Sequence, residues 1–185
     1  MSELNILENT TTTLLKDGVP DYSVSAKIID EGTGEQEYYW YNSNFSKYLG
    51  YYKQIPELKQ AVDSLAMWTA GRGWTADLST ENTLKMISGW GEDTIDSIWQ
   101  NMIIIKKING DSYAEIIENS DGKIVINLKP LNPMHVRHVT NGKGIILRYD
   151  VWNGKEWKEM DRRKIFHLAN QRIASEVHGV SVVES

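Results

Sequence analysis

The spacing of apolar and polar positions divides the chain into a helical half and a strand-rich half. Residues 1–20 follow neither a helical nor a strand period, and Thr10–Thr13 is a run of four threonines, so an extended arm is expected there. From Tyr22 to Ile28 apolar and polar residues alternate, as in a half-buried strand, and Gly32-Thr33-Gly34 is a turn signal. Tyr38-Tyr39-Trp40-Tyr41 is expected to be a strand or an interface edge, because aromatic side chains combine large apolar area with a polar tip.

Helical spacing begins at Pro56, which suits a first helical turn because its missing N–H removes no bond there. Leu58, Ala61, Val62, Leu65, Ala66 and Thr69 then predict one buried stripe, and Gly71 a left-handed C-terminal cap. A short helix is predicted after an N-cap at Ser79, with Leu84 and Ile87 facing inward. A third starts near Asp93 or Thr94, buries Ile95, Ile98, Trp99, Met102, Ile103 and Ile105, and ends at Asn109-Gly110.

After Gly110 the period changes to two. Strands are predicted over Ser112–Ile117, Lys123–Lys129, Val136–Val139, Ile145–Trp152, Lys155–Met160 and Ile165–Leu168. Ile124, Ile126 and Leu128 share one face of the second of these. Turn signals at Asp121-Gly122, Asn141-Gly142 and Asn153-Gly154 separate them, and Pro130 and Pro133 bracket a kinked connection. The expectation is an α+β fold, helices followed by an antiparallel β meander, forming one domain over residues 21–185 behind an arm of residues 1–20.

Composition narrows the function classes. The 185 residues include no cysteine, which excludes disulfides, thiolate nucleophiles and zinc ribbons. The net charge of −5 and the lack of a basic stripe argue against a dedicated DNA-reading domain. No apolar run approaches membrane-spanning length, and Met1-Ser2-Glu3-Leu4 does not open a signal peptide.

Few residues suggest chemistry. His135 and His138 are three apart on a predicted strand, where they point to opposite faces and share no ligand site. His167 has Asp161 and Ser181 as possible partners, but nothing in the spacing links them, so a satisfied, partly buried histidine is expected. Glu92, Asp93 and Asp96 gather where they stabilise a helix N-terminus. Gly71-Arg72-Gly73-Trp74 lacks the pattern of a phosphate-binding loop, and no nucleophile elbow or dinucleotide fingerprint occurs. The reading is a non-enzymatic chain needing no cofactor or metal. Two alternatives are a metal-dependent hydrolase on His135, His138 and His167, and a carbohydrate- or ligand-binding module stacking on Trp40, Tyr41, Trp152 and Trp157.

The order of motifs over residues 56–185 adds to this. A helix (Val62–Trp68) is followed by Gly71-Arg72-Gly73-Trp74, and a longer helix by the G-x-x-Y-x-E strand with Gly110, Tyr113 and Glu115. A D-G hairpin (Asp121-Gly122) then precedes the L-x-P-L-x-P-x-x-V segment from Leu128 through Pro130 and Pro133 to Val136. Leu147-Arg148-Tyr149, Ile165-Phe166-His167-Leu168 and Gly179-Val180-Ser181 complete the series. This ordered set resembles the N-terminal part of phage portal proteins.

The resemblance implies a wing-like α+β region of a ring, usually of twelve subunits, at one capsid vertex. It implies double-stranded DNA passing through without sequence specificity. Terminase large subunit, capsid protein and tail adaptors would be partners, and the location would be the virion after synthesis in the host cytoplasm. Family members continue past the G-x-S turn into stem and clip, so this chain is expected to be a piece truncated before the stem.

Overall fold

The computed structural model describes residues 26–29, 37–174 and 176–184. The expected arm and the Gly32-Thr33-Gly34 turn lie outside these residues. Strand β1 (Ala26–Ile29) overlaps the end of the Tyr22–Ile28 stretch predicted to be extended, and it pairs with β2 (Glu37–Tyr41), which holds the aromatic cluster.

Four helices follow among the described residues. Helix α1 (Phe45–Gln54) was not predicted; it precedes the one at Pro56 and buries Phe45 and Tyr48. Mixed tyrosines and an interior Gly50 blur its period. Ile55 alone separates it from α2 (Pro56–Ala70) and is extended, as expected of a residue before proline. Only Val62 and Ala66 of the α2 stripe are buried, whereas Ala61, Leu65 and Thr69 are exposed. Gly71 is not left-handed (φ −70°), and the chain turns instead at Gly73 (φ 71°).

Helix α3 (Leu78–Lys85) is capped two residues earlier than predicted. Asp77, not Ser79, is the N-cap, its carboxylate accepting the Ser79 and Thr80 N–H groups at 3.0 and 3.1 Å. Helix α4 (Ile95–Asn109) opens with a capping box between Thr94 and Ser97. Of its predicted stripe Ile95, Ile98, Met102 and Ile103 are buried, joined by Ile108 and Asn109, whereas Trp99 and Ile105 are half-buried.

The strands form two antiparallel sheets. These are β3 (Asp111–Glu118), β4 (Val125–Leu131), β5 (Val136–Thr140), β6 (Ile146–Trp152), β7 (Trp157–Asp161) and β8 (Ile165–Ala169), together with β1 and β2. The α+β class is as expected from the sequence. The meander β5-β6-β7 extends through β2 and β1 into a five-stranded sheet, while β8 crosses to β3 in a three-stranded sheet ordered β4-β3-β8. Pro130 lies inside β4, opposite Ala114, rather than in a kink. β4 is an edge strand, where a position without N–H is tolerated. Of the three residues predicted to share one face, only Leu128 is buried; Ile124 and Ile126 are exposed.

The three-stranded sheet is the middle layer. On one face Ala114, Leu128, Phe166 and Leu168 pack with Ile95, Ile98 and Met102 of α4. On the other, Tyr113 and Ile165 meet Val136 and Tyr149 of the large sheet. A third cluster joins Tyr48, Val62 and Ile108 to Val182 and Val183 of the C-terminal segment. Each fully buried Ile or Met contributes about 1.5–3 kcal/mol by leaving water. No helix among the described residues is long and apolar enough to cross a membrane.

Candidate functional site

Strand alternation places Asp111 and Tyr113 on the face of β3 that looks toward the large sheet. The β3–β8 register sets His167 directly opposite Tyr113, and the β5–β6 register sets His138 opposite Tyr149. The two pairs meet where the sheets pack. Tyr113 stacks on His167 with centroids 4.8 Å apart, and its hydroxyl lies 2.9 Å from His138 Nε2. The Tyr149 hydroxyl is 3.2 Å from His167 Nδ1. His178 enters from the C-terminal segment and stacks on His138 at 4.6 Å. Three of the four histidines thus occupy one buried cluster.

Asp111, fully buried, is its hub. The carboxylate accepts from His167 Nε2 and His178 Nδ1, each at 2.7 Å, and from the Gly179 N–H at 3.1 and 3.2 Å. Burial pushes its acidity toward the neutral form, but the hydrogen bonds from His167 and His178 outweigh this and hold it well below the usual carboxylate range. Burial drives His138 well below the ordinary histidine value, and neighbouring His178 and His167 add to the shift. Burial likewise raises Tyr113 and takes Tyr149 up to about 12. His138 Nδ1 and His178 Nε2 are buried without a hydrogen-bond partner among the described residues.

Around the cluster, backbone and side chains fasten the C-terminal segment to the α4–β3 junction. Val182 N–H donates to Lys107 O at 3.0 Å, Val180 N–H to Asn170 O at 2.8 Å, and Asn170 N–H to Gly110 O at 2.7 Å. The Ser181 hydroxyl donates to Ile108 O, and Lys107 Nζ to Asn170 Oδ1 at 2.9 Å. Gly110 (φ 89°) and Gly179 touch backbone to backbone: a Cβ on Gly110 would lie 2.0 Å from Gly179 O, and one on Gly179 2.2 Å from Gly110 O. The whole is a latch with its polar groups turned inward around the fully buried Asp111 carboxylate.

Of the motif residues, Gly110, Tyr113, His167, Gly179 and Ser181 come together here. Glu115, Pro130 and Pro133 do not, and Gly73 and Trp74 line a small cavity with Asp96 and Trp99 at the end of α2 beside Gly71. The partner of His167 is Asp111, not Asp161, whose carboxylate instead accepts the Arg163 N–H. Ser181 bonds a carbonyl and does not touch an imidazole. Asp111, Asn170 and His178 were not assigned from sequence, while His138 entered only as a metal-ligand candidate and Tyr149 only as part of the motif series. Period-two spacing from Tyr113 was the available signal for Asp111.

His135 stands apart on an exposed turn, so the trio His135, His138 and His167 is not assembled. Among the described residues no group of three or more His, Asp or Glu side chains converges to hold a metal ion. Asp93 accepts the Trp90 N–H, and Asp96 lies in the first turn of α4. Of the stacking candidates, the Trp40 indole donates to Thr140 and Trp157 is covered by Arg137. Trp152 lines a groove of about 580 Å³ with Trp90, Lys129 and His135. Arg148 binds Glu37 bidentately (2.5 and 2.9 Å) and Asp150, tying β6 to β2.

The same fold occurs in chains of gene transfer agent particles. One, from the virion of the native particle, superposes with a TM-score of 0.63 at 16% identity over 75% of this chain. Another, from the neck of the native particle with C12 symmetry, gives 0.64 at 16% identity over 77%. A third, from the neck of the empty particle with C6 symmetry, gives 0.55 at 16% identity over 67%. This chain spans 38%, 39% and 37% of their respective lengths. No protein-family model matches the sequence, and no curated protein matches it.

Proposed function

We propose that this chain is the wing-like outer part of a portal subunit, a structural and non-enzymatic component of the head-to-tail vertex of a phage or phage-like particle. The observation that carries the reading is the fold shared with a chain from a particle neck of C12 symmetry. The ordered motif series supports it independently. The motif residues Gly110, Tyr113, His167, Gly179 and Ser181, scattered over the sequence, meet in one latch, as expected if the series encodes a structural joint and not a catalytic centre.

In this reading the complete product assembles into a ring in the virion. Double-stranded DNA passes through it without sequence readout, and terminase large subunit, capsid protein and tail adaptors dock on it. The test is native mass spectrometry and electron microscopy of the protein expressed from its complete reading frame. Rings, twelvefold by the resemblance, are expected; monomers alone at micromolar concentration overturn the proposal.

A further inference from the structure

A depression of about 470 Å³ on the far side of Tyr149 carries an unbalanced charge. Its wall includes Arg162, Arg163 and Arg172, with Glu176 as its one carboxylate and Ile146 and Val177 as apolar surface. Two other guanidiniums are committed: Arg137 pairs with Asp150, and Arg148 with Glu37, Asp150 and Glu159. Arg162, Arg163 and Arg172 have neither an ion pair nor a side-chain hydrogen bond among the described residues.

The backbone presents these side chains by design of the local fold. Arg162 and Arg163 sit on a 3₁₀ turn (Arg162–Lys164) held by the Asp161 carboxylate, which accepts the Arg163 N–H at 2.7 Å. Arg172 is flanked by Gln171 (φ 43°) and Ala174 (φ 51°), two non-glycine residues in the left-handed region. Such backbone concentrates where function requires a particular presentation.

We infer that Arg162, Arg163 and Arg172 form a binding site for a phosphate group, free or esterified in a nucleotide or nucleic-acid strand. Guanidinium forks match phosphate oxygens bidentately, and three like charges facing a single carboxylate are relieved by a multiply charged oxyanion. The space exceeds a lone phosphate, and Ile146 and Val177 offer an apolar wall to the rest of an ester. Burial raises Tyr149 at the base of the depression, while the charges of Arg172 and Arg162 oppose that shift, in line with their convergence there. The inference does not depend on the assembly role proposed above.

The test compares thermal midpoints in sodium phosphate and sodium chloride at equal ionic strength and pH 7. The wild type and a remote Lys123→Gln control should gain about 3–6 °C at phosphate concentrations well above the dissociation constant. The triple variant Arg162→Gln, Arg163→Gln, Arg172→Gln should gain none; its side chains are exposed and unbonded, so folding is unaffected. A labelled DNA oligonucleotide of mixed sequence separates the sources. Binding at least about tenfold tighter than inorganic phosphate and lost in the triple variant assigns an esterified phosphate, since each further phosphate contact adds affinity. Equal affinity assigns the free ion. No shift in the wild type, or an equal shift in the triple variant, overturns the inference. So does arginine-dependent self-association without a phosphate effect, which would assign the site to carboxylates of a second copy.

Discussion

His178 Nδ1 lies 2.7 Å from Asp111 Oδ2, joining the first residue of β3 to a residue of the C-terminal segment. Because Asp111 also accepts from His167 and the Gly179 N–H, one carboxylate holds three parts of the chain: β3, β8 and the segment after it. The sheet packing closes over this hub, so its contribution comes from hydrogen bonds that water cannot replace.

Asp111→Ala should destabilise the protein by about 3–5 kcal/mol, the effect of removing one partner from a buried charged network. Denaturant unfolding measures this directly. An effect near that of an exposed substitution, below about 0.5 kcal/mol, would contradict the hub role.

Gly110→Ala and Gly179→Ala should each weaken the same joint for a different reason. A Cβ at either position meets the other residue's carbonyl at 2.0 or 2.2 Å, and backbone cannot step aside as a side chain can. A loss on the order of 3–4 kcal/mol is expected. Hydrogen exchange should show faster amides at Val180 and Val182, whose N–H groups bond across the joint.

Acid should act in two stages. His138 is depressed well below its ordinary value in the folded state, so the unfolded chain takes up a proton there first. Its contribution is intact above the unfolded value of about 6.5 and is lost as pH falls below it, at up to about 1.4 kcal/mol per pH unit. Asp111, also depressed, contributes above the unfolded value of about 3.9 and loses that contribution at lower pH. His138→Gln keeps a polar partner for Tyr113 and should remove the first stage while leaving the second. Urea titrations between pH 7.5 and 4.5 distinguish this from parallel losses in both proteins, which would place the first stage elsewhere.

Asp77→Ala removes the cap of α3 and should cost about 1 kcal/mol locally. Because no α3 side chain is buried, the loss should appear as faster amide exchange over Leu78–Lys85, with little change in the global midpoint. A global shift equal to the local one would mean that α3 is coupled to the core after all.

The sequence by itself determined α4, its approximate ends and most of its buried stripe, because a 3.6-residue period and a following glycine act within one segment. It also determined the strands after Gly110 and the α+β class, since period-two spacing and the Asn141-Gly142 and Asn153-Gly154 turns are equally local. It placed the motif residues in order without showing that five of them meet. What only the tertiary structure decided is which histidines share a site. His135, close to His138 in sequence, stays exposed on the 3₁₀ turn that precedes β5, while His138, His167 and His178 converge because two sheets pack and the chain returns across β3. Asp111 becomes a hub through hydrogen bonds to residues 56 and 67 positions away, and no local period encodes a contact of that range.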